Sequence, residues 1–395
     1  MELSKKLQNL PPQFFASLVQ KVGAAVAQGR DVINLGQGNP DQPTPPHIVK
    51  ALQQAVENPA THKYSPFRGI SEVREAAADF YKREYNVDID PLTEVAVLFG
   101  TKTGLVELPM AVLNPGDWML LPDPGYPDYL SGVIMADVHY ETLPLVSENN
   151  FLPNYNLLSK ESKERAKLMY LNYPNNPTGA TADLEFFNET VAFAKENGIA
   201  VSHDFAYGAI GFEGIKPISF LQAEGAKDIG IEMYTLSKTY NMAGWRVGFA
   251  VGNAQIIEAI NLIQDHMFVS LFPAIQHAAV AALSDSQACV QEFVNLYEKR
   301  RNIFVASCNR IGWQVKAPKG SFFAWLPVPE DHTSQSFTDK LLSEADVAVA
   351  PGNGFGEYGE GYIRVGFLVD ENRLVEAVER IEKLGIFQKE VDVSE

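Results

Sequence analysis

The sequence is short of cysteine, of basic charge and of long apolar runs. Only Cys289 and Cys308 occur in 395 residues, and neither belongs to a spacing such as C-x-x-C. A disulfide framework is therefore not expected, and a reducing compartment is the simplest home. Lysine and arginine number 32 against 49 acidic residues, a formal net charge of −17. That average field repels the phosphate backbone and anionic lipid, so no nucleic-acid partner and no membrane partner is expected. A few arginines in a pocket can still hold an anionic substrate against so distant a field. No apolar run approaches the ~20 residues that span a bilayer. Residues 1–10 lack the basic-then-apolar build of a signal peptide, and a cytoplasmic setting is the expectation. The 29 glycines and 24 prolines are scattered without a period, which removes collagen-like and repeat-array readings.

What is present is a large apolar fraction, 46%, enough for two domains. Apolar spacing predicts helices over 12–30, 46–56, 71–85, 105–113, 184–196 and 253–266. Between them, strands are predicted over 32–35, 94–99, 118–121, 166–172, 199–202, 231–236 and 245–251. The alternation predicts an α/β class with a mostly parallel sheet buried on both faces. Beyond about residue 285 the texture changes. A long helix is predicted over 292–309, strands over 313–317, 321–326, 347–350 and 362–367, and helices over 336–344 and 371–384. The expected division is a large domain over 46–285 and a smaller α+β domain made of 1–45 and 286–395.

Several irregular stretches fall at strand ends, where such sheets place ligands. The sharpest runs from Tyr234 to Gly248: Tyr-Thr-Leu-Ser-Lys-Thr-Tyr-Asn-Met-Ala-Gly-Trp-Arg-Val-Gly. A lysine beside hydroxyls, followed by a glycine and an arginine, suits a phosphate pocket with an amine nucleophile; a solvated surface lysine is the plain alternative. Asp204, in His203-Asp204-Phe205-Ala206-Tyr207, is either a turn aspartate or a functional carboxylate. Asn172-Tyr173-Pro174-Asn175-Asn176-Pro177-Thr178-Gly179 reads by itself as a turn. Gly100-Thr101-Lys102 at a strand end before a helix favours an anion through free backbone N–H groups. Arg364 lies inside the apolar strand 362–367, and a buried guanidinium asks for a carboxylate, from a ligand or from an internal ion pair.

Taken in order, these landmarks resemble the class I/II aminotransferases, the aspartate aminotransferase-like branch of the pyridoxal-phosphate enzymes, across almost the whole chain. The resemblance implies the fold type I transferase architecture, with 46–285 binding pyridoxal 5′-phosphate, and no metal. It makes Lys238 the lysine that holds the cofactor as a Schiff base and then shuttles the Cα proton. It gives Asp204 the pyridine nitrogen, Tyr207 and Asn176 the ring oxygen, and Tyr126 the face of the ring. Arg246 becomes a phosphate ligand with Thr235 and Ser237 beside it, and Thr101 and Lys102 form the phosphate cradle, chiefly through backbone amides. Arg364 takes the substrate α-carboxylate, near Asn176 and the Gly38 backbone. Tyr64 matches a tyrosine that reaches the neighbouring subunit's phosphate, so a homodimer with shared active sites is implied.

Amino acids and 2-oxo acids are the partners this implies. The overall likeness is greatest to the methionine-salvage aminotransferases of Gram-positive bacteria, carried by residues 14–38 and Asp265-His266-Met267-Phe268. Those convert 4-methylthio-2-oxobutanoate to methionine with glutamine among their donors. The second arginine that dicarboxylate specialists use has no evident counterpart, and Phe14, Phe15, Tyr64 and Phe272 are candidate lining residues for a neutral side chain. Aspartate, alanine or diaminopimelate transfer, and a carbon–sulfur lyase of the same fold, are the alternatives. A non-catalytic binding protein of this fold would not need Lys238.

Overall fold

The computed structural model describes residues 2–387. Among them the strands are β1 (Ile33–Asn34), β2 (Val95–Leu98), β3 (Trp118–Asp123), β4 (His139–Pro144), β5 (Ala166–Leu171) and β6 (Ala200–Asp204). They continue as β7 (Gly230–Thr235), β8 (Gly248–Gly252), β9 (Phe323–Pro327), β10 (Val347–Ala348), β11 (Ala350–Pro351) and β12 (Tyr362–Gly366). Seven of them form one sheet in the order β2-β8-β7-β6-β5-β3-β4. Only β8 runs antiparallel to its neighbours; the other pairings of that sheet are parallel.

Strand alternation explains why these apolar runs form a sheet buried on both faces. Val95, Val97, Met169, Leu171 and Val201 enter one core with Phe80, Tyr81 and Phe187. Ala96, Leu98, Leu168, Tyr170 and Met233 enter the other, with Leu105, Leu108 and Ile257. A third core joins Ile33 and Leu35 to Phe304, Phe337, Ile363 and Leu374. Around it stand the antiparallel sheet β11-β12-β9 and the parallel pair β1-β10. The α/β architecture is thus a large, mostly parallel sheet layer with a smaller layer that the early strand β1 joins.

Several sequence expectations are corrected. The helix predicted from 105 begins at once as Thr101–Val112, because Gly100 ends the strand at φ +76°. Residues 313–317 form no strand: the Val315 N–H is satisfied by the Asn309 side chain and the Trp313 indole by Pro327 O. The strand predicted over 347–350 divides, β10 pairing with β1 and β11 with β12. The strand predicted from 245 starts at Gly248, since Ala243–Trp245 is a 3₁₀ turn and Arg246 takes φ +55°. The helices Tyr129–Ala136 and Pro273–Ser284 and the strand β4 were not predicted.

Candidate active site

The ends of β2, β3, β5, β6 and β7 open on one cavity of about 510 Å³. Its wall includes Gly38, Thr101, Lys102, Tyr126, Asn176, Asp204, Tyr207, Thr235, Ser237, Lys238, Arg246 and Arg364. Every cofactor and carboxylate residue expected from the sequence except Tyr64 therefore meets in one place, from positions more than 300 residues apart.

One end of the cavity is built for an anion. The helix Thr101–Val112 points its first N–H groups there. Arg246 packs its guanidinium against Gly100, where any Cβ would run into it, and donates to Ala243 O at 2.9 Å. Thr235 and Ser237 are buried beside it, the Thr235 hydroxyl accepting the Ser237 N–H at 3.2 Å. The Lys102 ammonium is already engaged by Asp128 at 2.9 Å, which leaves the backbone of that turn as the freer donor.

At the centre stand Lys238 and Asp204. The Lys238 amine donates to Gly38 O at 2.6 Å. Burial, then the nearby Arg364 and Arg246 charges, lower it from 10.5 to about 8, so a neutral amine is accessible near physiological pH. Asp204 ends β6. Its Oδ2 accepts the Tyr129 hydroxyl at 2.9 Å, while Oδ1 is buried without a partner. Burial raises the carboxyl to about 6, against hydrogen bonds and the charge of Lys238. Tyr207 is buried, and desolvation pushes its hydroxyl well up, so it remains a donor.

Arg364 forms the other end. Its guanidinium is 1% exposed, donates to Asn176 Oδ1 at 2.8 Å and to Gly36 O at 2.9 Å, and leaves Nε unpartnered. Phe323, Phe355 and Phe15 cover it with ring centroids at 4.0, 4.8 and 5.1 Å. Among the described residues no carboxylate pairs with it, so the internal ion pair considered as an alternative is absent. Burial lowers it to about 10. A Cβ on Gly38 would stand 3.4 Å from Phe323 Cζ and 3.8 Å from Arg364 Nη2, so a side chain there would narrow the space between these groups and an occupant of the cavity.

The structure does not bring every expected residue together. Tyr64 is 91% exposed and borders a separate groove with Lys63, Leu271 and Phe272, so Tyr64 and Phe272 line no part of the cavity. Phe14 packs edge-on against Phe355 and fills the space beside Gly354; Phe15 alone of the four aromatic candidates reaches the wall. Sequence reasoning missed Tyr129, Asp128, Asn172 and Phe323. Tyr129 is 75 residues from the Asp204 it touches, and no spacing signals such a pair.

These groups fit pyridoxal phosphate. The helix end, Arg246 and two hydroxyls suit a dianion; the orphaned Asp204 oxygen suits a protonated ring nitrogen; the lysine amine suits an aldehyde. The family model for aminotransferase class I and II matches residues 30–381. The chain is 67% identical over 392 residues to L-glutamine–4-(methylsulfanyl)-2-oxobutanoate aminotransferase of Bacillus subtilis, covering 99% of this chain and 98% of that relative. It is 45% identical over 378 residues to an LL-diaminopimelate aminotransferase of Desulforudis audaxviator, covering 96% of each. The substrate-bound BacF structure from Bacillus subtilis superposes with a TM-score of 0.95 at 47% identity, covering 99% of this chain and all of that one. The chain belongs to the class I and II aminotransferases and is a pyridoxal-phosphate-dependent enzyme of the fold type I architecture.

Proposed function

We propose that the protein makes methionine from 4-methylthio-2-oxobutanoate, with glutamine as a donor, by a ping-pong exchange that uses this cavity twice. The observation that carries the reading is the setting of Arg364: buried, without a carboxylate of its own, and walled by aromatic rings. The other cations on the cavity wall are Lys238, the Asp128-paired Lys102, and Arg246 at the anion end. An α-carboxylate has a partner at Arg364, whereas a distal carboxylate finds no free cation among the described residues of the wall. Leaving it desolvated is costly, while a thioether packs against ring edges at little cost. The relative named for this substrate pair, at 67% identity, supports the same choice.

In this reading Lys238 would hold the cofactor through its amine and would move the proton at the substrate α-carbon. Bound there, the cofactor supplies the electron sink for the charge left on that carbon. Asp204 holds the ring nitrogen protonated, and Tyr207 and Asn176 donate toward the ring oxygen. Arg246, Thr101, Ser237 and Thr235 hold the phosphate with the helix amides, and Lys102 shapes that turn through Asp128. Tyr126, on the cavity wall, would lie against the ring. Arg364 and the Gly38 backbone would fix the α-carboxylate in the cavity that Lys238 shares. Tyr64, too exposed to serve its own cavity, serves the phosphate of a second copy, which makes the working unit a homodimer.

The test is kcat/KM for 4-methylthio-2-oxobutanoate against oxaloacetate, pyruvate and the 2-oxo acid of diaminopimelate with glutamine fixed. The expected preference is ten- to a thousand-fold over oxaloacetate, the range one misfit group commands. Preference for oxaloacetate or for diaminopimelate would overturn the substrate reading. Release of pyruvate and ammonia from a cystathionine-like substrate, without an acceptor, would favour the lyase.

A further inference from the structure

The face of the sheet turned away from the cavity holds a buried ionisable pair that the chemistry above does not use. Successive side chains of β6 alternate between faces. Asp204 turns to the cavity; His203 turns into the rings of Phe187, Phe205 and Phe220. Its register partner on β7 is Glu232, and both side chains are 0% exposed. Glu232 accepts from four donors: the Tyr81 and Ser219 hydroxyls on Oε1, the Phe220 N–H and His203 Nδ1 on Oε2, all at 2.7 or 2.8 Å. Four donors on one carboxyl compensate an ionised acceptor for its burial.

The other ring nitrogen fixes the tautomer. His203 Nε2 lies 3.1 Å from the backbone nitrogen of Tyr173. An amide N–H can only donate, so Nε2 bears the lone pair and Nδ1 the proton given to Glu232. Tyr173 lies beyond the end of β5 at Leu171, and His203 is the acceptor its amide meets there. From this tether the turn continues to the site. Asn172 donates to Asp204 O at 2.6 Å and accepts the Asn176 N–H at 2.8 Å, and Asn176 Oδ1 receives Arg364 at 2.8 Å.

We infer that Glu232 and His203 are positioning residues for the carboxylate end of the site: together they hold the Tyr173 amide, and through it the turn that aims Asn176 and Arg364. The inference rests on the reading that Arg364 takes the substrate α-carboxylate. Two variants separate the halves of the tether. His203→Asn places an amide where Nδ1 stood, keeping a donor for Glu232 but losing the acceptor for Tyr173. His203→Gln places an oxygen where Nε2 stood, keeping the acceptor and losing the donor.

KM and kcat for donor and acceptor are measured with the holoenzyme. Calorimetry gives Kd for 4-methylthiobutanoate, which carries the carboxylate without the reacting carbonyl, and thermal unfolding is followed on the cofactor-free protein. His203→Asn is expected to raise both KM values and Kd about tenfold, about 1.4 kcal/mol, with kcat within about threefold. His203→Gln is expected to keep KM and Kd within about twofold even where its unfolding temperature falls. If both variants lower the unfolding temperature and neither moves KM or Kd, the pair is structural and the inference is overturned. Should His203→Asn not fold, the pair His203→Leu with Glu232→Gln replaces it. The Gln carbonyl keeps the Phe220 N–H and its amide meets the Tyr81 and Ser219 hydroxyls, while leucine takes the acceptor from the Tyr173 N–H, so the same rise in KM and Kd is required, and unchanged values overturn the inference. Arg364→Lys is run in parallel. If it leaves KM and Kd unchanged, the reading of Arg364 fails; if it raises them and the tether variants do not, the inference alone fails.

Discussion

Asp204→Asn should make the cofactor-free protein more stable and the enzyme far slower. Burial raises the Asp204 carboxyl from 3.8 to about 6 in the fold. Below pH 3.8 both folded and unfolded chains are protonated there, and the group contributes nothing. Between 3.8 and about 6 the unfolded chain ionises while the folded one does not, so stability falls as pH rises. Above 6 the penalty is constant at about 3 kcal/mol, two units at about 1.4 kcal/mol each. Asparagine removes it, less a constant of about 1 kcal/mol for an amide N–H left without a partner. Urea unfolding of the cofactor-free proteins at pH 5 and pH 8 cancels that constant. The gain from the pH-dependent part should be about twice as large at pH 8 as at pH 5. With cofactor bound, transfer should drop on the order of 10² or more, because an amide cannot keep the ring nitrogen protonated. A stability difference that is flat with pH, or that shrinks as pH rises, would refute the burial argument.

Reconstitution of cofactor-free protein should accelerate with pH and level off above about 8, where half the Lys238 amine is neutral, against ~0.3% for an ordinary lysine; a midpoint near 10.5 in stopped-flow absorbance would contradict this. Gly100→Ala should weaken cofactor retention about tenfold in equilibrium dialysis, since the new Cβ meets the Arg246 guanidinium at a φ of +76°. Unchanged retention would mean that Arg246 does not hold the phosphate. Mixing Lys238→Ala with a Tyr64→Ala variant should restore activity at up to about a quarter of the sites, since about half the dimers are mixed and one site in each is intact. Full activity in a protein that sediments as a monomer would refute the shared site.

Much of this was legible in the sequence for physical reasons. The buried strands are apolar on both faces, so 94–99, 166–172 and 231–236 stand out against amphipathic helices. The edge strand β4 did not, because its His139 and Tyr140 face outward and the core signal is thin. Nor did Tyr129–Ala136, whose apolar residues lie on all sides and give little period. Residues 313–317 misled in the other direction: Trp313 and Val315 are buried as a strand's would be, but a side-chain amide takes the place of a partner strand. At the site, Lys238, Asp204 and Arg364 could be read because each is a polar residue at an apolar strand's end or inside it. Tyr129 against Asp204 and Asp128 against Lys102 could not, because folding alone sets those contacts. Tyr64 is exposed and lies away from the cavity, a placement that sequence periodicity does not encode.

The most direct test of the whole account is a competition for one amino group. The enzyme is loaded with glutamine, freed of excess donor, and given equal 4-methylthio-2-oxobutanoate and oxaloacetate for a single turnover. The ratio of methionine to aspartate then reports the two kcat/KM values without the first half-reaction. A cavity with Arg364 for the α-carboxylate and, among the described residues, no free cation beyond it predicts methionine in at least tenfold excess. Aspartate in excess would contradict both the substrate and the pocket it was argued from.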